Sequence, residues 1–396
     1  RRETFVLLCG MGLTASQAAR VIKAWGEEAP ARVRQDPYSL AHVVHGFGFK
    51  TADAIAAGIG IAPDSPVRLR AAVLDALSEG SEAGHLFLDA ANLALLAADR
   101  TGRPDPELAD AIVSLVADGR LASDPGPGPD ESTPGPLVYE AGLHQAEVRA
   151  ARRIRQIAAV EVAPLPLPPP AADGFCLAPS QARALATIQG SAFSVLTGGP
   201  GTGKTTVVGS LLAAADRAGL RVVLAAPTGR AAMRMKEATG RDARTLHRLL
   251  EYNPHQGGFQ RCEGMPLDAD WVVVDEASML DARLLDHLLR AVATGTRVTL
   301  VGDADQLPPV GPGDPFREII ASRTVPVARL TEVFRQGAGS GIVAAAHRIL
   351  NGASPLPDRR DDDALTDFYL VEREDPIDLA RMVETLVCDR IPARFG

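Results

Sequence analysis

The chain has 396 residues, of which 46% are hydrophobic and 23% charged, with a formal net charge of −8. That length predicts two or three compact units of ordinary globular composition, and an acidic chain can meet a polyanion only through a locally basic surface. No apolar run is long enough to span a bilayer, and Cys9, Cys176, Cys262 and Cys388 form neither a C-x-x-C pair nor a disulfide framework, so a reducing cytoplasm is the expected location.

Residues 1–62 contain two related units. Leu7, Leu8, Gly10 and Gly12 precede a helical pattern from Thr14 to Trp25, and Val43, Val44, Gly46 and Gly48 precede another from Thr51. Each is an apolar pair, a G-x-G turn and a helix with a small residue, Ser16 or Ala52, four positions after the second glycine. The pattern resembles the helix-hairpin-helix motif. Its glycines place N–H groups at a helix start, where a DNA phosphate can dock without base readout. Gly46, Gly48 and Lys50 are the residues expected at that contact.

Residues 63–160 read as a mainly helical domain, with Leu69, Ala72, Val73, Ala76 and Leu77 at helical spacing. A Pro/Gly-rich loop at 123–135 interrupts it. Arg149, Arg152, Arg153 and Arg155 then lie along a helix and are expected to form a solvated face. The stretch APLPLPPP at 163–170, inside a linker at 161–174, predicts an extended spacer and a domain boundary. From residue 175 short β-branched runs alternate with helices. They centre on 194–196, 221–226, 271–275 and 298–302, which predicts a parallel sheet covered on both faces, with its site at the carboxyl ends of the strands.

The segment LTGGPGTGKTT at 196–206 lies between the first of these runs and a helix. It satisfies the phosphate-loop pattern G-x-x-x-x-G-K-[ST] in the strand–loop–helix context that pattern requires. Backbone N–H groups of Gly199, Pro200-flanked Gly201, Thr202, Gly203 and the following Lys204, Thr205 and Thr206 would cradle a polyphosphate. Lys204 would reach the β- and γ-phosphates, and the Thr205 hydroxyl would ligate Mg²⁺. Val272–Val274 ends in adjacent carboxylates. Asp275 is suited to Mg²⁺ and Glu276 to polarising a water for in-line attack. Gln306, after the next strand, can sense a γ-phosphate or orient that water, and Arg335 can stabilise charge on a transferring phosphoryl group. Between residues 221 and 250, Arg221, Arg230, Arg234, Lys236, Arg241, Arg244 and Arg248 face only Glu237 and Asp242, a basic stretch fit for a phosphate backbone.

The order of LAPSQ (177–181), the phosphate loop, APTGR (226–230), TLH (245–247), VDE (274–276), GDADQ (302–306) and FR (334–335) resembles the motif series of superfamily 1 DNA helicases, in their RecD-like branch. The paired N-terminal units resemble those of the stand-alone RecD-like enzymes. The resemblance implies an α/β fold, with a RecA-like, doubly wound parallel sheet at 175–336 and an all-α region with tandem helix-hairpin-helix motifs before it. It implies ATP and Mg²⁺ as cofactors, with Gln181 reading adenine. It also implies that Thr228, Arg230, Thr245 and His247 contact single-stranded DNA, and that a hairpin near 251–262 acts at a duplex/single-strand junction. ATP-dependent unwinding with 5′→3′ polarity, in DNA repair or recombination, follows from the resemblance alone. Motifs expected further along a second motor domain are missing, so 337–396 is expected to be its incomplete start, and residues 1–396 alone are expected to bind nucleotide without unwinding. Two other readings stay open on the residues: a P-loop ATPase that moves on or remodels nucleic acid without separating strands, and a DNA-binding module switched by nucleotide.

Overall fold

In the computed structural model, which describes residues 2–44, 46–126, 135–167, 177–332, 341–355, 367–368 and 371–395, the chain begins with two helix–turn–helix pairs. Helices Arg2–Gly10 and Ala15–Trp25 form the first, and Ser39–Val43 and Phe49–Gly58 the second. Thr14 starts Ala15–Trp25 with a capping box, its hydroxyl accepting from the Gln17 N–H while Gln17 Oε1 accepts from the Thr14 N–H. Leu8, Leu13, Val21, Val33, Leu40, Phe47 and Ile55 close one core between the pairs. Helix Phe49–Gly58 also gives Phe49, Ala52 and Ala56 to a second core with helices Pro66–Glu82, Ala90–Thr101 and Asp105–Ala117.

That second region carries strands as well as helices. β1 (Leu88–Asp89), β2 (Leu121–Asp124) and β3 (Leu137–Glu140) form an antiparallel sheet in the order β1-β3-β2. The helical periodicity of 63–160 gave no sign of strands this short. The Pro/Gly-rich loop between β2 and β3 is their connection, and its residues 127–134 lie outside the described residues.

The α/β region forms a six-stranded sheet from β4 (Phe193–Gly198), β5 (Val222–Ala226), β6 (Ala243–Thr245), β9 (Trp271–Val274), β10 (Arg297–Gly302) and β11 (Val327–Leu330). Their order is β11-β4-β10-β9-β5-β6 and every pairing is parallel. A two-stranded hairpin of β7 (Tyr252–Asn253) and β8 (Gly258–Phe259) stands between β6 and β9. Alternate residues divide the strands between two cores. Val195, Val272, Val274, Val298 and Leu300 pack with Leu285, Leu289 and Phe316, whereas Leu196, Trp271, Val273 and Val301 pack with Val208, Leu211 and Met235. On the second face Thr299 Oγ1 takes a hydrogen bond from Trp271 Nε1 at 3.1 Å and shares another with Ser194 Oγ at 3.0 Å, which ties β9, β10 and β4 together.

The proline-rich stretch departs from the expected spacer. Its described part, 161–167, is docked on the sheet domain: Leu165 is buried beside Leu185 and Ile188, and its N–H donates to Gln189 O at 3.1 Å. Arg217 Nε donates to Pro166 O at 3.2 Å, because a proline residue still offers its carbonyl. Residues 168–174 lie outside the described residues. Helix Ala141–Ala158 is likewise part of the sheet domain's core through Ala150, Ile154 and Ile157. Two of its arginines are used internally: Arg149 makes a two-point ion pair with buried Asp286, and Arg153 donates to Val292 O.

The chain divides into Arg1–Gly198 with Lys204–Leu330 as one compact unit and Gly199–Gly203 with Thr331–Gly396 as another. In the second, Asp367 Oδ1 accepts from the Gly341 N–H at 2.6 Å at the start of helix Gly341–Leu350, and Asp375 caps helix Pro376–Glu384. The acidic run 361–363, and residues 369–370 of the strand-like run before Val371, lie outside the described residues. Among the described residues no helix is long and apolar enough to cross a membrane.

Candidate active site

β4 runs into the phosphate loop, and a helix of 14 residues, Lys204–Arg217, leaves it. The pattern's glycines are needed for backbone shape: Gly201 (φ 78°) and Gly203 (φ 83°) both occupy the left-handed region. Thr202 is buried and its hydroxyl donates to Gly199 O at 2.8 Å, while Pro200 is exposed. Lys204 Nζ donates to Gly198 O at 2.5 Å. The helix begins at Lys204, so its first turn carries the positive end of the helix dipole, and Thr205 is exposed there.

β9 ends at Val274 and delivers Asp275 and Glu276 to the same carboxyl edge. The Asp275 N–H extends the ladder to Ala225 O at 2.9 Å, and Asp275 Oδ1 accepts from the Glu276 N–H at 2.9 Å. Glu276 has a left-handed backbone, φ 52° and ψ 39°, rare for a residue with a Cβ and common at functional turns. A 3₁₀ turn, Ala277–Met279, then passes close to β10. A Cβ on Gly302 would lie 3.0 Å from Ser278 N and 2.9 Å from the Phe316 ring, so only glycine fits. Burial pushes the Asp275 carboxyl above the ordinary range, partly offset by the Glu276 N–H and by Lys204. Burial also raises Glu276, Asp275 adds to that, and Lys204 and Arg234 work against it. A base held above its usual pKa near a lysine suits proton transfer at a phosphate.

β10 leads to Asp303, which is buried and accepts from the Asp305 N–H at 3.0 Å. Ala304 N donates to Thr197 Oγ1 at 3.2 Å, tying this turn to β4. Gln306 is exposed at its end. Sequence reasoning missed Arg317, whose guanidinium donates to Ala304 O and Gln306 O, both at 2.6 Å. No motif marks an arginine whose role is to hold main-chain carbonyls.

Gln181 is 5% exposed, and its Oε1 accepts from the Ala178 N–H at 3.1 Å, which shapes the start of helix Pro179–Gln189. Thr228 and Thr245 are each a helix N-cap, their hydroxyls accepting from Ala231 N and Arg248 N. Arg230, in the first turn after Thr228, is exposed. His247 is exposed against the hairpin aromatics, 5.6 Å from the Tyr252 ring and 5.3 Å from Phe259. Arg335 lies outside the described residues.

The basic stretch is not one continuous track. Arg221 precedes β5, at the amino end of the strand, where it pairs with Asp268 and Asp270. Arg241 pairs with Asp216, and Arg244 with Asp242. Arg230, Arg234 and Arg248 are exposed and make no ion pair with a described residue. In the N-terminal hairpins Gly46 (φ 84°), Gly48 and Lys50 are exposed, with Gly48 capping helix Phe49–Gly58. The Arg20 guanidinium fills the space beside Gly46 and sits 5.4 Å from the Phe47 ring.

A parallel sheet whose strand β4 leads in sequence into a glycine loop, and whose carboxyl edge carries a lysine and a carboxylate pair, defines the P-loop class of nucleotide-binding domains. Comparison with known proteins narrows the class. Residues 176–367 match the family described as an AAA domain, and residues 1–87 match the ATP-dependent RecD2 DNA helicase HHH domain. An ATP-dependent RecD2 DNA helicase of Deinococcus radiodurans is 39% identical over 364 residues, 89% of this chain and 50% of that protein. The RecBCD enzyme subunit RecD of Mycobacterium tuberculosis is 38% identical over 230 residues, 51% of this chain and 40% of that protein. Among solved structures, the Pif1 helicase of Candida albicans is similar with a TM-score of 0.36 and 24% identity, covering 46% of each chain. The chain belongs to the RecD2-type family of superfamily 1 DNA helicases. It spans about half the length of the Deinococcus relative.

Proposed function

We propose that this chain carries the N-terminal region and first motor domain of a helicase that couples Mg–ATP hydrolysis to movement on single-stranded DNA, 5′ to 3′, and to unwinding in DNA repair or recombination. The observation that carries the reading is the meeting of Lys204, Asp275 and Glu276 on one sheet edge, with the two carboxylates raised by burial and Lys204 close enough to act against that rise. Lys204 neutralises phosphate charge, Glu276 takes the proton of the attacking water, and Gln306 orients that water or senses the γ-phosphate. Gln181 reads adenine, and Arg335 stabilises the transferring phosphoryl group.

Thr205 and Asp275 are the residues that would hold Mg²⁺, which supplies charge neutralisation at the phosphates. Oxygen donors from a hydroxyl and a carboxylate suit that ion. Single-stranded DNA runs past Thr228, Arg230, Thr245 and His247, and Gly46, Gly48 and Lys50 meet DNA backbone.

The test is phosphate release by the full-length gene product with and without single-stranded DNA, alongside strand displacement on duplexes tailed at one end or the other. DNA-stimulated hydrolysis with displacement of 5′-tailed duplexes supports the proposal. Hydrolysis with movement but no displacement would make the protein a translocase, and DNA binding without hydrolysis would make it a nucleotide-switched module.

A further inference from the structure

The 303–306 turn is held unequally on its two sides. Its N–H groups are fixed from within or from β4: Asp305 N donates to Asp303 Oδ1, Gln306 N to Asp303 O, and Ala304 N to Thr197 Oγ1. Beyond it Leu307 and Val310 are 87% and 93% exposed, so neither side chain packs the turn down. The Ala304 and Gln306 carbonyls are held by one side chain, Arg317, with Nε on the first and Nη2 on the second. Asp314 fixes the arginine, since its carboxylate lies 3.3 Å from Arg317 Nε and also caps helix Pro315–Ser322. The preceding residue, Phe316, is 1% exposed and packs against Gly302 at the end of β10. Neighbouring residues of one helix thus gauge the end of the strand and the turn that follows it.

We infer that Arg317 is a positioning residue that holds the 304–306 turn, and through it the Gln306 side chain, in the geometry the hydrolysis step needs. The inference rests on the hydrolytic role proposed above for Gln306. A planar fork with parallel donors can bridge two carbonyls two residues apart, whereas a lysine ammonium is a point donor on a flexible stem. Arg317 is exposed, so water can replace its hydrogen bonds when it is removed. Loss of the side chain therefore costs the fold little and the turn its fixed shape.

The experiment compares ATP-dependent phosphate release, with single-stranded DNA present, by the full-length gene product and its R317A, R317K, Q306A and R317A/Q306A variants, with thermal unfolding of each. R317A is expected to lower kcat roughly 10- to 100-fold, the scale of a misplaced catalytic group, with KM for ATP and Tm nearly unchanged. R317K should recover part of that loss. The double variant should be no slower than Q306A alone, because Arg317 acts through Gln306. Wild-type turnover in R317A, additive losses in the double variant, or a fall in Tm that R317K fully restores along with kcat would each overturn the inference. Wild-type turnover in Q306A would instead refute the role of Gln306 itself, and that variant alone reports it.

Discussion

Glu276→Gln separates chemistry from binding at this site. The substitution keeps the size of the side chain and its left-handed backbone, and removes the group that accepts a proton. General-base catalysis contributes on the order of 10²-fold or more, which is at least about 2.7 kcal/mol of barrier. Nucleotide binding should survive, because Lys204 and the loop N–H groups are untouched. The stability consequence has the opposite sign to that of a stabilising residue. Burial and the neighbouring Asp275 raise the Glu276 carboxyl, so the folded chain holds this proton more tightly than the unfolded chain does. Ionised Glu276 therefore costs folding free energy at neutral pH, and the cost fades as pH falls through the raised value. Gln removes it, so Tm at pH 7 to 8 should hold or rise while turnover collapses. In the unsubstituted protein, hydrolysis should fall on acidification at a pH above the ordinary carboxylate range. Phosphate release, titration with a fluorescent nucleotide and thermal unfolding measure the three effects. Loss of nucleotide binding together with turnover, or a marked drop in Tm, would show that Glu276 is a structural or metal-holding residue.

Lys204→Ala removes a charge-assisted contact to phosphate and should abolish both nucleotide binding and hydrolysis; wild-type turnover would end the ATPase assignment. Arg230→Ala should weaken single-stranded DNA binding for all sequences and reduce the salt slope by about 0.7, read from titrations at several salt concentrations. Arg221→Ala should leave that slope alone, since Arg221 is occupied by Asp268 and Asp270 at the amino end of β5; an equal change in both variants would relocate the DNA track. Arg149→Ala strands the buried Asp286 carboxylate. It should cost about 3 kcal/mol, the low end for breaking a buried pair because Arg149 is partly exposed, and Asp286→Asn in that background should return part of the lost Tm.

The α/β character was legible because parallel strands buried on both faces read as short apolar runs, and Val272–Val274 is such a run. The phosphate loop was legible because its backbone shape demands glycine at Gly201 and Gly203, so the constraint is written in residue type. The same holds for the paired hairpins, where Gly12 and Gly46 have positive φ. Strands β1 to β3 were not legible, because two to four residues carry too little periodicity to stand out among helices.

What the chain's order of residues determined by itself was local: which turns need glycine, which runs are buried on both faces, and which motifs follow which strands. Tertiary structure decided which charges are free. Arg221 and Arg241 look equivalent to Arg230 in the sequence, yet each is held by an aspartate far away in the chain, Arg221 at the amino end of β5, away from the site. It also decided that the proline-rich stretch docks through Leu165, that Arg149 anchors a helix, and that Arg317 grips a turn. These are contacts between residues distant in the chain, or with main-chain carbonyls that every residue carries. Their partners are set by how the layers pack, and side-chain identity alone does not name them.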